Sequence, residues 1–183
     1  DIPWVSVHGA ESLPERPRRS VILALWDAEE DGLLGSFYYV NNPLVPIAAT
    51  KAYINFDILG ANLLPSIGDW TLAVSGETGG SAFGAFIDAA ATADATITLR
   101  RLSYIFGQLR SDYANFVAKS VPTVFFTDAT NGCYHTTDDD LSHVNLDKLE
   151  AQSRIAFRLA VTLAEAPASL AFSAPNPGLA SFA

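Results

Sequence analysis

The chain has 183 residues, 49% hydrophobic and 17% charged, and its 20 acidic against 11 basic side chains give a formal net charge of −9. Apolar content of this size can bury enough surface to offset chain entropy, which excludes a disordered protein and a coiled coil and predicts one globular domain. The acidic balance argues against nucleic acid as a partner, since phosphate contacts need clustered Lys and Arg. No uncharged apolar run is long enough to span a membrane. The single cysteine excludes an internal disulfide.

The two ends of the chain differ in composition from its middle. Residues 1–19 contain three prolines and no clear periodicity, which predicts an irregular lead-in. Residues 167–183 are rich in Ala, Pro and Ser, which predicts a tail or the start of a linker. Residues 20–166 form the predicted folded domain. Because the first residue is not Met, we expect the sequence to begin inside a longer product.

The hydrophobic pattern of the middle alternates between two kinds of element. Short apolar runs of strand length alternate with stretches of helical period. The predicted strands cover residues 20–26, 52–59, 70–75, 96–102 and 123–127, and the predicted helices cover residues 33–39, 81–93, 112–119 and 146–166. The last helix has apolar residues on one arc and charged residues opposite, as expected of a helix packed on a sheet. This alternation predicts an α/β layered domain with a mixed or largely parallel sheet.

Chemistry in such a fold collects where strands end. Four carboxylates, including Glu29 and Glu30, stand between residues 27 and 31, directly after the first predicted strand. They could simply solvate a turn and favour the N-terminal end of the next helix. Alternatively, one of the adjacent glutamates ligates a metal while the other, which points to the opposite side of the chain, handles a proton.

Two further strand ends carry polar residues that suit a metal. Asp57 closes an apolar strand, and a buried carboxylate there needs a cation, an arginine or a metal. His135 follows the strand at 123–127 and has acids close behind it, among them Asp139. Such a histidine is more often a plain surface residue, but nearby carboxylates are the usual support for a ligating imidazole. Together the three strand ends form a donor set that suits zinc or a similar divalent ion.

Four segments of the sequence, taken in order, resemble one known family, metallopeptidase family 28. This family includes bacterial leucyl aminopeptidases, glutamate carboxypeptidase II, glutaminyl cyclases and the transferrin receptor ectodomain. The segments are SVILALWDAEEDGLLGS (residues 20–36), AYINFDILG (52–60), SDYANFVAKSVPTVFF (111–126) and YHTTDDDLSHVN (134–145). The resemblance implies a three-layer α-β-α sandwich with a mixed, mostly parallel sheet, and makes residues 20–166 the C-terminal portion of a metallopeptidase catalytic domain.

The same resemblance implies roles for individual residues. Glu29 would be the general base, Glu30 and His135 would bind one zinc ion, and Asp57 would bind a second. Asp112 and Tyr134 would line the site, and Asp139 would support it or line it. The implied chemistry is zinc-dependent hydrolysis of a terminal peptide bond in a peptide substrate, with two zinc ions in the complete protein and zinc-bound water as the nucleophile. The resemblance also implies a secreted or periplasmic location.

The sequence departs from the family pattern at one end. The family has a further histidine and a bridging aspartate well upstream of the paired glutamates, and neither pattern occurs here. We interpret His8 as a non-ligand, because Gly and Ala follow it where the pattern needs an acid two positions on. The N-terminal part of the catalytic domain is therefore expected to be missing. Three functions stay open: a zinc aminopeptidase, a glutaminyl cyclase on the same fold, and an inactive binding domain or fragment.

Overall fold

The structure, a computed structural model, describes residues 17–62, 64–102 and 109–174. Helices and strands alternate along the chain, as the sequence predicts. The helices are α1 (Leu34–Asn41), α2 (Gly80–Ala91), α3 (Tyr113–Ala118) and α4 (Leu146–Glu165). The strands are β1 (Tyr53–Phe56), β2 (Trp70–Val74), β3 (Thr98–Arg101) and β4 (Thr123–Thr127). Short 3₁₀ turns lie at Ile47–Ala49, Pro65–Ile67, Gly76–Gly79 and Leu141–His143.

The four strands form one mixed sheet in the order β1-β4-β2-β3. β1 runs parallel to β4, with Asn55 opposite Phe125, and β2 runs parallel to β3, with Leu72 opposite Arg100. Only the β2–β4 pairing is antiparallel. The C-terminal ends of β1 and β4 therefore meet at the same edge of the sheet. This arrangement confirms the predicted α/β fold with a mixed sheet.

Alternate residues of the strands face opposite helical layers, because side chains alternate along a strand. Ala73 and Phe126 pack in one cluster with residues of α2 and α4. Leu72, Val74 and Phe125 pack in another cluster with Tyr113 of α3. A third cluster joins Val40 of α1, Phe116 of α3 and Val121, which follows α3. Helices therefore cover both faces of the sheet and form a three-layer sandwich.

The predicted strand at residues 20–26 is wrong for this structure. The segment is extended coil, Leu25 is fully exposed, and Val21, Ile22 and Leu23 are each about half exposed. An apolar run becomes a strand only where another strand offers its free backbone groups, and no described strand pairs with this segment. Among the strands that the structure describes, β1 pairs with β4 alone.

The remaining elements match their predictions to within two residues, apart from β1, which ends three residues earlier than predicted. β1 ends at Phe56, because Asp57 and then Ile58, whose φ is +56°, turn the chain out of the strand. The α4 helix begins where the side chain of Asn145 accepts a hydrogen bond from the backbone N–H of Lys148. None of the helices between residues 17 and 174 that the structure describes is long and apolar enough to cross a bilayer. The domain boundaries stay a prediction.

Candidate active site

The turn that carries the paired glutamates is held by its own backbone. The N–H groups of Gly32 and Leu33 donate to the carbonyl of Glu29 at 3.1 and 2.8 Å. Gly35 donates to the carbonyl of Asp27 at 3.0 Å, and a Cβ at position 35 would lie 2.6 Å from that oxygen. Only glycine permits this approach. The turn therefore holds the backbone of Glu29 and Glu30 in a defined conformation before α1 begins.

Asp57 lies at the end of β1 in a loop that β4 helps to hold. The N–H of Asp57 donates to the carbonyl of Phe126, and the N–H of Asp128 donates to the carbonyl of Ile58. The Oδ2 of Asp57 accepts a hydrogen bond of 2.9 Å from the hydroxyl of Ser111. Asp57 thus lies just after the strand. Its backbone is hydrogen-bonded to β4, and the hydroxyl of Ser111 orients one of its carboxylate oxygens.

His135 reaches the glutamate turn from the loop that follows β4. Its Nε2 lies 2.6 Å from Oε1 of Glu30, and both side chains are more than half exposed. The ring of Tyr134 stacks on that of His135 at a centroid distance of 3.8 Å. The backbone of His135 has a φ of +59°, which is uncommon for a residue other than glycine. The fold therefore brings together two of the residues that the sequence predicts as ligands of one metal.

Glu29 lies among negative charges. Burial raises the pKa of its carboxyl first, and the charges of Asp57, Glu30 and Asp112 raise it further, while His135 lowers it. Carboxyl groups with raised pKa values are suited to accept and return protons near neutral pH. The electrostatic neighbourhood of Glu29 thus includes the other acids that the sequence predicts for the site.

Asp112 immediately precedes α3, and its charge helps to raise the pKa of Glu29. It is 7% exposed, and its Oδ1 has no hydrogen-bond partner among the described residues. Burial raises the pKa of Asp112, the hydrogen bond with Ser36 lowers it, and the charge of Asp57 raises it. A buried oxygen without a partner is uncommon in folded proteins and is often found at functional sites.

Tyr134 and Asp139 differ in their relation to this site. Partial burial raises the pKa of the Tyr134 phenol, and the charges of Glu30, Asp57 and Glu29 raise it further, so the ring lies beside the acids. Asp139, in contrast, is exposed, and its only hydrogen bond within the described chain is from its backbone N–H to the carbonyl of Thr136. No hydrogen bond or ion pair between Asp139 and His135 is found among the described residues, and the supporting role of Asp139 stays a prediction. His8 lies outside the described residues.

The donor atoms suit zinc in type, but their number falls short of a complete site. Carboxylate oxygen and imidazole nitrogen are ordinary zinc ligands, and catalytic zinc sites keep three protein ligands. Glu30 and His135 provide a pair, and no group of three or more His, Cys, Asp or Glu side chains in the described residues is placed to hold a metal ion. The two donor atoms are hydrogen-bonded to each other at 2.6 Å, so binding one zinc ion would require them to separate slightly.

Several polar residues that lie behind the site are not among those predicted from the sequence. They are Trp26, Ser36, Tyr53, Asn55 and Ser111. One signal was available: Asn55 and Asp57 are two residues apart at the end of a strand, and such residues face the same side of a sheet. The contact with Ser111 could not be seen, because 54 residues separate it from Asp57.

An α/β sandwich with acids and a histidine gathered where its strands end is a common arrangement for metal-dependent hydrolases. Residues 6–160 match the family model of Peptidase family M28. The chain therefore belongs to peptidase family M28. An aminopeptidase of Pseudomonas aeruginosa is 31% identical over 166 residues, which cover 75% of this chain and 30% of that protein. The chain thus spans about a third of the length of this curated relative.

Solved structures share the fold. An aminopeptidase of Legionella pneumophila, LapA, has a TM-score of 0.64 at 22% identity and covers 76% of this chain and 38% of its own. A zinc aminopeptidase of Bacillus subtilis has a TM-score of 0.61 at 22% identity, with 82% and 38% covered. A glutaminyl cyclase of Porphyromonas gingivalis has a TM-score of 0.56 at 18% identity, with 75% and 49% covered. At these identities the likeness concerns the fold alone.

Proposed function

We propose that the protein is a zinc-dependent aminopeptidase in which Glu29 is the general base. The observation that carries the proposal is the contact of 2.6 Å between Glu30 and His135 beside Glu29, at the edge of the sheet where β1 and β4 end. Family membership and the aminopeptidase relative support a peptidase, and the zinc aminopeptidase of the same fold supports the metal. The substrate class is a peptide with a free amino terminus.

Glu29 would transfer the proton, and other site residues would bind metal. Glu30 and His135 would hold one zinc ion, and Asp57 would hold a second. A bound zinc ion acidifies water and polarises a carbonyl. A carboxylate oxygen of Glu29 accepts the proton that the attacking water releases. As the C–N bond breaks, Glu29 donates this proton to the leaving amine, so that one water is consumed and the two products are a carboxylate and an amine.

The surroundings of Glu29 support this role. Its negative neighbours and its partial burial both favour the protonated form, and a base that has just taken a proton must hold it until the amine leaves. Tyr134 and Asp112 would line the same pocket, Tyr134 beside the imidazole and Asp112 with a free oxygen at its buried end. Asp139 would support the site or line it from the exposed loop after His135.

A glutaminyl cyclase is the second candidate, and the cyclase structure of the same fold favours it. The retained Asp57, which would hold a second zinc ion, favours the aminopeptidase over a cyclase with one zinc ion. An inactive binding domain is the third candidate. The contact between Glu30 and His135 argues against it, since a scaffold without chemistry has no need of this pair.

The test uses the longest natural product that contains these 183 residues. Hydrolysis of a leucyl chromogenic amide is compared with cyclisation of a peptide that begins with glutamine. We expect the amide to be hydrolysed and Glu29→Gln to lower the rate by about a hundredfold or more. Asp31→Asn, which removes an exposed carboxylate from the same turn, is the matched control and should keep the rate. Cyclisation without hydrolysis would establish the glutaminyl cyclase. The absence of both reactions would favour the inactive binding domain.

We also propose a secreted or periplasmic location, which rests on the resemblance of the sequence motifs. Immunodetection of the protein in the cytoplasmic, periplasmic and culture-medium fractions of the producing cell tests this. A protein found only in the cytoplasmic fraction would contradict it.

A further inference from the structure

A continuous chain of side-chain hydrogen bonds runs behind the site from the glutamate turn to Asp57. The indole Nε1 of Trp26 donates to the hydroxyl of Tyr53 at 2.8 Å. That hydroxyl donates to Oδ1 of Asn55 at 2.6 Å, and Nδ2 of Asn55 donates to the hydroxyl of Ser111 at 2.8 Å. The Ser111 hydroxyl donates to Oδ2 of Asp57 at 2.9 Å. We call these five side chains the relay.

The two ends of the relay fix its direction. An indole N–H can only donate, and an ionised carboxylate can only accept. Each hydroxyl between them therefore accepts from the Trp26 side and donates toward Asp57. The amide of Asn55 has one orientation that satisfies both neighbours, with its oxygen toward Tyr53 and its nitrogen toward Ser111. Reversing any single link would place two donors or two acceptors opposite each other.

The middle of the relay is shielded from water. Asn55 is 3% and Ser111 is 1% exposed. The ring of Tyr53 stacks on Phe116 with centroids 3.8 Å apart, and Trp26 packs against Tyr39 at 5.1 Å. Since Asn55 and Ser111 are buried, water does not readily replace a link lost between them, and a buried polar network of this kind holds its members in one geometry.

The relay joins two parts of the site that are distant in sequence. Trp26 stands three residues before Glu29, and Asp57 ends β1. We propose that Tyr53 and Asn55 are positioning residues, which orient the carboxylate of Asp57 with respect to the turn that carries Glu29 and Glu30. The role of Asp57 as a metal ligand rests on the proposed function. The orientation of its carboxylate by the relay is independent of that function.

The experiment follows both ends of the relay by NMR at one fixed neutral pH, in the 183-residue chain. The probes are the side-chain ¹³Cγ resonance of Asp57 and the indole N–H resonance of Trp26. Tyr53→Phe removes one hydroxyl and keeps the stacked ring. Tyr39→Phe is the matched control, because Tyr39 belongs to the same aromatic cluster and its hydroxyl makes no described hydrogen bond. Ser111→Ala breaks the relay from the other end.

We expect Tyr53→Phe to move the Asp57 resonance, three links away, and Ser111→Ala to move the Trp26 resonance, while Tyr39→Phe moves neither to the same extent. A residue with a merely structural role would disturb its immediate neighbours and leave the far end unchanged. The proposal is overturned if Tyr53→Phe shifts Trp26 but leaves Asp57 as in the wild type. Neither readout involves hydrolysis, so failure here is distinguishable from failure of the peptidase proposal, which the Glu29→Gln assay tests. If Tyr53→Phe does not fold, Asn55→Ala, read at the ¹³Cγ resonance of Asp57, decides the question by the same criterion.

Discussion

Oε1 of Glu30 and Nε2 of His135 lie 2.6 Å apart although 105 positions separate the two residues in the chain. Both side chains are more than half exposed, and exposed ion pairs contribute only about 0.2–1 kcal/mol to stability. The positive φ of His135 costs on the order of 1–3 kcal/mol. Because the pair does not offset the backbone strain, its placement is better explained by chemistry than by stability.

Removal of either member of this pair should affect metal binding far more than folding. In the longest natural product that contains these residues, we expect Glu30→Gln and His135→Ala to lose zinc, since each removes a ligand, and to change the free energy of unfolding by less than about 1 kcal/mol. Glu29→Gln should keep zinc near the wild-type level. Elemental analysis and chemical denaturation of the same samples check this. Equal zinc loss in Glu29→Gln would make Glu29 a ligand and contradict its assignment as the base.

The 183-residue chain by itself should bind zinc weakly. Glu30 and His135 provide two ligands where catalytic sites keep three, so we expect fewer than two tightly held ions per chain after dialysis against micromolar zinc. Atomic emission on the dialysed protein measures the ratio. Two tightly held ions would mean that other residues complete the site, and His8→Ala and His143→Ala would then show which histidine does so.

The buried ion pair between Lys148 and Asp128 should be the most sensitive position outside the site. Their charged atoms lie 3.1 Å apart, and both side chains are at most 5% exposed. Asp128 also accepts from the N–H of Ala61 and the hydroxyl of Thr71. Lys148→Met leaves this carboxylate buried without its cation and should lower the free energy of unfolding by about 3–5 kcal/mol.

Urea denaturation measures this loss, and Lys119→Met is the control. Lys119 is exposed and donates to Asn41, so its replacement should cost less than about 1 kcal/mol. Equal effects of the two variants would show that the pair of Lys148 and Asp128 has no special role.

Stability should decline in alkali because of Tyr113. Burial raises the pKa of its phenol above the ordinary 10.0, so the folded state favours the neutral form. The stability contribution is complete below pH 10 and decreases as the pH rises toward the folded-state pKa, since the unfolded state releases its proton first. Tyr113→Phe should make the free energy of unfolding less dependent on pH in this range. The remaining slope should come in part from Tyr53, whose pKa burial also raises.

Unfolding curves recorded below and above pH 10 test this, with Tyr38→Phe as the exposed control. A slope that is the same in Tyr113→Phe and the wild type would contradict it.

Local pattern determined most of the secondary structure. The helical period at residues 146–166 and the apolar runs at 70–75 and 123–127 predicted α4, β2 and β4 nearly to the residue, because amphipathic period and burial act over a few neighbouring positions. Residues 20–26 have an equally strong apolar pattern and form no strand. A strand needs a partner for its backbone, and a local pattern does not contain that information.

Motif order in the sequence determined the family and which residues are candidates for chemistry. Their arrangement was decided only by the tertiary structure. The contact of Glu30 with His135 depends on how the loop after β4 returns to the glutamate turn, and the relay to Asp57 depends on where α3 places Ser111. The physical reason is that contacts between distant segments follow from the packing of whole layers, which no single segment encodes.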